Sequence, residues 1–241
     1  MDSVAATCVV LIPIYKEMLT PMELASFQQV LQVLSLRKIA LVAPQSLNVI
    51  NYQKWANIEI YRFEDQYFEN IKGYNKLLTS VHFYKRFEAF DYLLIYQLDA
   101  WVFEDQLDLW TSKDYDYLGA PWLEKPASKS GFNLGFLLKN KVGNGGFSLR
   151  KVSSFIRVLS KWQGFCHFLS KNEDFIFSII IPRLAQFKIP DAHIALAFSF
   201  ESNPAKAFQL NQRKLPFGCH AWEKFDRSFW EPFISVSNEK K

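Results

Sequence analysis

Cysteine is scarce in this 241-residue chain: Cys8, Cys166 and Cys219 stand far apart, and none belongs to a CxxC pair. An odd, scattered set argues against a disulfide framework and suits a reducing cytoplasm. Long apolar runs are missing too. The stretch from Val4 to Ile14 is interrupted at Pro13 and has no basic residue before it. It lacks the architecture of a signal peptide and falls short of the ~20 residues that a membrane span needs. Phe175 to Ile181 is shorter still, so the expectation is a soluble or peripheral protein. Blocks of like charge are absent as well. A formal charge of +4 is spread along the chain, which suits an anionic small ligand or an anionic membrane surface and argues against a nucleic-acid binder. No internal repeat or low-complexity segment is present, and only the last residues read as a polar tail.

Apolar residues, in contrast, make up 49% of the chain and aromatics 17%, enough to fill a sizeable core and leave rings over for stacking on a base or sugar. One domain over residues 1–241 is expected. Ala6 to Ile14 reads as a buried first strand of a parallel sheet. Thr20-Pro21-Met22-Glu23 supplies an N-cap, a proline at the first helical position and an acidic third position, and helical spacing continues to Leu36. Lys38 to Val42 and Asn57 to Phe63 read as further strands, Ile71 to Phe87 as a helix, and Tyr92 to Tyr96 as the most apolar strand so far. This alternation implies right-handed βαβ crossovers and a three-layer α/β sandwich. A long loop is expected over Pro121 to Lys141, then a strand at Gly146 to Arg150, helices over Val152 to Trp162 and from Asn172, and a late strand over His193 to Phe200.

Four short strings could carry chemistry. Gln97-Leu98-Asp99 directly follows a buried strand, where ligands of open α/β sheets bind. Asp99 reads equally well as a turn cap or as a cation ligand. Gly143-Asn144-Gly145-Gly146 allows close backbone approach or positive φ, but is neither a dinucleotide fingerprint nor a P-loop, and a tight turn before an edge strand explains it as well. Asn172-Glu173-Asp174 opens an apolar helix, either as a cap with two dipole-compensating acids or as the seat of a general base. His220 lies between Gly218 and Trp222 and, if brought to Asp99, would share a Mn²⁺ or Mg²⁺ site with it.

Taken together, Tyr74-Asn75-Lys76-Leu77-Leu78, the run from Tyr96 to Phe103, Tyr115 to Trp122, Val142 to Arg150, Asn172 to Ser178 and the segment ending at His220 resemble the GT-A glycosyltransferases. The chain is most similar to a bacterial family of unknown function grouped with them. That resemblance implies a single GT-A-like α/β/α sandwich with a Rossmann-like half and a mixed central sheet. Residues up to about 103 would bind a nucleotide-sugar, a UDP-sugar by preference, and residues 104–235 would carry the acceptor and catalytic half. It implies that Asp99 and His220 hold the metal. Gln97 stands where the first acid of an Asp-x-Asp motif would be, which weakens the metal site. Pro13, Ile14, Tyr15, Lys16, Asn75, Lys76, Gly145 and Gly146 would contact the donor. Asp174 would be the base of an inverting displacement, with Glu173 on acceptor hydroxyls. Partners implied are a nucleotide-sugar donor and a glycan or lipid-linked acceptor, used in surface-glycan synthesis at the inner face of the cytoplasmic membrane. A retaining transferase, a nucleotidyltransferase and a non-catalytic carbohydrate-binding domain remain alternatives.

Overall fold

The computed structural model describes residues 6–123, 141–169 and 172–236. The expected loop over Pro121 to Lys141 falls almost wholly outside them, as does the polar tail. The first four long strands are β1 (Cys8–Pro13), β2 (Lys38–Pro44), β3 (Glu59–Phe63) and β4 (Tyr92–Tyr96). They run parallel, β2 between β3 and β1, and β1 against β4. β5 (Ala100–Val102) leaves this layer, while β6 (Tyr117–Leu118) and β7 (Phe147–Lys151) extend it antiparallel, giving the order β3-β2-β1-β4-β7-β6. The central sheet is therefore mixed, as expected.

Alternate side chains of the central strands serve opposite layers, as the two-residue period of a strand dictates. Val10, Ile12, Leu41, Leu94 and Tyr96 pack with Phe27 and Val30 of helix α1 (Pro21–Val33). Val9, Leu11, Val42, Leu93 and Ile95 face the other way. There they meet Leu77 and Leu78 of α3 (Ile71–Leu78), Phe83 and Tyr84 of α4 (Val81–Lys85), and Phe155, Val158 and Leu159 of α6 (Val152–Leu169). The short helices α2 (Ile50–Gln53) and α5 (Leu107–Thr111) fill connections. A smaller sheet orders β5-β9-β8, from β8 (Ser199–Phe200) and β9 (Gly218–His220), over a cluster that includes Trp101, Cys219, Trp222 and Trp230.

The capping box forms at α1: Thr20 Oγ1 accepts from Glu23 N at 3.3 Å and Glu23 Oε2 accepts from Thr20 N at 2.8 Å. Three expectations need correction. The helix from Ile71 to Phe87 is two helices, because Thr79 Oγ1 turns back to Asn75 O and Ser80 caps α4 through His82 N. Helix α1 stops at Val33 rather than Leu36, whose side chain is exposed. The late strand over His193 to Phe200 is mostly helix, Ala192–Phe198, with only Ser199 and Phe200 extended. Its buried residues Ala195, Leu196 and Phe198 follow helical spacing, and Asp191 stands extended before it as the cap residue.

Candidate active site

β4 ends at Tyr96, and Gln97-Leu98-Asp99 makes a tight turn closed by Ala100 N donating to Gln97 O at 2.9 Å. The buried Tyr96 hydroxyl lies 3.0 Å from Ser26 Oγ and donates to Ala100 O at 3.1 Å, tying the turn to α1. Backbone closes the turn, so the Asp99 carboxylate is left for something else. It stands half-exposed, 3.1 Å from His220 Nε2.

Register brings that histidine from 121 positions away. Ala100 pairs with His220 in the β5–β9 ladder, which sets the imidazole beside the residue before β5. His220 Nε2 also lies 3.2 Å from Gln97 Oε1, and Nδ1 lies 3.1 Å from Glu201 Oε1. Burial lowers the basicity of the ring, but hydrogen bonds to Asp99 and Glu201 outweigh it and push the pKa up to about 10. Burial also acts against ionisation of Asp99, yet His220 holds its pKa below the usual value. Glu201 carries no local sequence signal. It is found only by following β8 into β9.

Pairing of Tyr96 with Phe147 sets Gly146 O to accept from Gln97 N at 2.8 Å, so the glycine turn crosses the end of β4. The two glycines are required by close approach rather than by positive φ, which Asn144 adopts instead at 72°. A Cβ on Gly146 would strike His220, and one on Gly145 would strike Glu173, Arg150 and Asp174. The turn is thus the partition between the His220 cluster and the acid pair.

Asn172 occupies the N-cap position of the helix Glu173–Phe175, and its carbonyl accepts from Phe175 N at 3.1 Å, but its side chain makes no capping hydrogen bond among the described residues. Glu173 is buried and accepts from Arg150 Nη2 at 2.9 Å. Arg150 is itself buried, donating also to Tyr84 OH at 2.9 Å and Ser148 Oγ at 3.0 Å, with its guanidinium 5.5 Å from the Tyr117 ring. Glu173 therefore faces inward to a cation, not outward to acceptor hydroxyls. Tyr117 donates to Asp174 Oδ1 at 3.0 Å. Burial, then the Glu173 charge beside it, raises the Asp174 carboxyl well above the usual carboxylate range.

A cleft of about 480 Å³ opens at the turn, walled by Pro13, Tyr15, Glu23, Tyr74, Gln97 and Asp99 among others. Lys16 does not line it but pairs with Glu23 of its wall at 2.7 Å. Ile14 is not part of it, being fully buried in the α1-side core. Asn75 and Lys76 are not brought there either. They line a separate cavity on the other side of α3. The Tyr74 hydroxyl on the cleft wall is shut off from solvent without a hydrogen-bond partner among the described residues.

Carboxylate, amide oxygen and imidazole converge at Asp99, Gln97 and His220, a donor set that suits Mn²⁺ or Mg²⁺. It is incomplete by itself. Among the described residues no group of three or more His, Cys, Asp or Glu is placed to hold a metal, so an ion bound here would need ligand oxygens or water in its remaining positions.

No curated protein matches the chain. Solved structures do, at low identity. The fold is similar to mouse xyloside xylosyltransferase 1, with a TM-score of 0.53 and 12% identity over 88% of this chain and 96% of that one. It is similar to the galactosyltransferase LgtC in complex with donor and acceptor sugar analogues, with a TM-score of 0.54 and 11% identity over 95% and 92%. The Mn/GDP form of core-mannan synthase A from Aspergillus fumigatus aligns with a TM-score of 0.51 and 8% identity over 74% and 70%. These likenesses establish the GT-A-like α/β fold. In sequence, residues 57–220 match the family model described as protein of unknown function (DUF5672), and the chain belongs to that family.

Proposed function

We propose that the chain is a nucleotide-sugar-dependent glycosyltransferase that passes a sugar to a hydroxyl of a glycan or glycolipid-precursor acceptor. One observation carries this reading: Asp99 and Gln97 line the donor-sized cleft with His220 set against both, while Asp174 stands just across the Gly145-Gly146 turn. Charge on a departing diphosphate and a proton on an attacking hydroxyl thus each have a group waiting. The likeness to xylosyl-, galactosyl- and mannan-synthesising enzymes supports it.

Tyr15, exposed at the cleft mouth, offers a face for the base, and the donor diphosphate lies toward Asp99. A divalent ion held by Asp99 and by His220, once it displaces the Nε2 proton that the raised pKa keeps there, would neutralise the diphosphate. Gln97 keeps an oxygen toward that centre but no charge. Glu201 fixes the His220 ring by its other nitrogen. Asp174 removes the acceptor proton as the hydroxyl attacks the anomeric carbon, inverting it. Its raised affinity for protons strengthens it as a base once ionised. Arg150 holds Glu173 in place beside Asp174. Tyr117 orients the Asp174 carboxylate.

Incubation with UDP- and GDP-sugars and Mn²⁺, without acceptor, tests the reading by slow release of nucleoside diphosphate. No release from any donor, together with no nucleotide binding, would remove it. The configuration of the product, read by NMR, decides between inversion and retention.

A further inference from the structure

The cavity behind α3, about 600 Å³, differs from the donor cleft in its charge. The cleft wall bears Glu23, Glu69 and Asp99, so an anion enters it only alongside a cation. The second cavity is lined by Lys72 and Lys76 and, among the described residues, by no carboxylate. Among the described residues neither lysine is in an ion pair. The two are four apart on one helix, hence about 6 Å along its axis on one face, where like charges repel until an anion comes between them.

We propose that this cavity receives the acceptor, and that the acceptor carries a phosphate or carboxylate group held directly by Lys72 and Lys76. The word acceptor rests on the glycosyltransferase reading above; the anion site does not. Ile71 walls both cavities, so they meet over the first turn of α3. Asn172 lines the second cavity and immediately precedes the Glu173-Asp174 pair, so the cavity abuts the segment that carries the proposed base. Neutral groups accompany the lysines. Asn75 and Asn172 line the wall, and burial keeps the His167 imidazole below its usual pKa, so three uncharged polar side chains face the hydroxyls of a sugar.

The test is a calorimetric titration of glucose 1-phosphate, glucuronate and glucose, with EDTA present, into the wild-type protein and the Lys72→Ala/Lys76→Ala variant. A parallel arm uses vesicles of phosphatidic acid or of phosphatidylcholine, and UDP with Mn²⁺ is titrated into both proteins as a control. An anionic ligand should bind without metal, at least roughly tenfold more tightly than glucose, and the double variant should lose that advantage. Affinity should fall as salt rises. Binding to phosphatidic acid vesicles alone would assign the anion to a lipid headgroup, and binding of the soluble sugars to a free glycan phosphate or carboxylate. The proposal is overturned if no anion binds better than its neutral counterpart, or if the double variant binds as the wild type does. If UDP and Mn²⁺ fail while the anions bind, the donor reading falls and the anion site stands.

Discussion

Asp174 and Glu173 are neighbours in sequence but stand in opposite circumstances. Glu173 is paired with buried Arg150, while Asp174 reaches the turn and keeps its proton to higher pH than an ordinary carboxyl. A base works only when ionised, so turnover should rise with pH through an apparent pKa above the usual carboxylate range. Asp174→Asn should lower kcat by roughly 10²–10⁴-fold with nucleotide affinity unchanged. A flat acid limb, or an active Asn variant, would assign the base elsewhere. Arg150→Met leaves Glu173 buried without its cation, at a cost of about 3–5 kcal/mol, read as a loss of stability in urea. Glu201→Ala should weaken Mn²⁺ binding by about 10–100-fold in calorimetry, with partial rescue by Glu201→Gln, which keeps an oxygen acceptor for Nδ1. Asp99, Gly145, Gly146, Asp174 and His220 can be singled out in the sequence because each sits in a short string with its own chemistry, and the roles given to them belong to the proposal. Glu201 was not, since its significance exists only once β9 has been paired.

Among elements, the strand-end turn and the glycine turn were easier to read than the helices. Tyr92–Tyr96 was delimited by sequence because five apolar residues are followed directly by polar ones. Helix α3 shows what local reading misses: residues advance 100° each, so Tyr74 faces the donor cleft while Asn75 and Lys76 turn to the other cavity. Assigning Asn75 and Lys76 to the donor ignored that rotation. The segment over Ala192–Phe198 misled for a related reason, a short apolar run whose length and composition fit strand or helix equally. Helix α1, by contrast, announced itself through its capping box. Thr20→Ala should cost about 1 kcal/mol in chemical denaturation. Because Ser26 on the same helix donates to Ala100 O at 2.7 Å, loosening α1 reaches the turn that bears Asp99.

At the scale of the whole molecule, the parallel βαβ order and the change to antiparallel pairing at β7 create the site. Parallel strands bring β1 and β4 to one edge, and β7 and β9 return glycines and histidine to it. That convergence depends on long-range pairings, Tyr96 with Phe147 and Ala100 with His220 among them, which one sequence does not display. No helix among the described residues is long and apolar enough to cross a membrane. The central claim is that this edge holds a nucleoside diphosphate through a divalent ion on Asp99 and His220. Its most direct test is calorimetric titration of UDP and GDP into wild-type protein and Asp99→Asn, each with Mn²⁺ and with EDTA. The account predicts binding of at least one nucleotide that is strengthened by Mn²⁺ and loses that gain in Asp99→Asn. Binding that ignores both the metal and Asp99, or no binding at all, would contradict it.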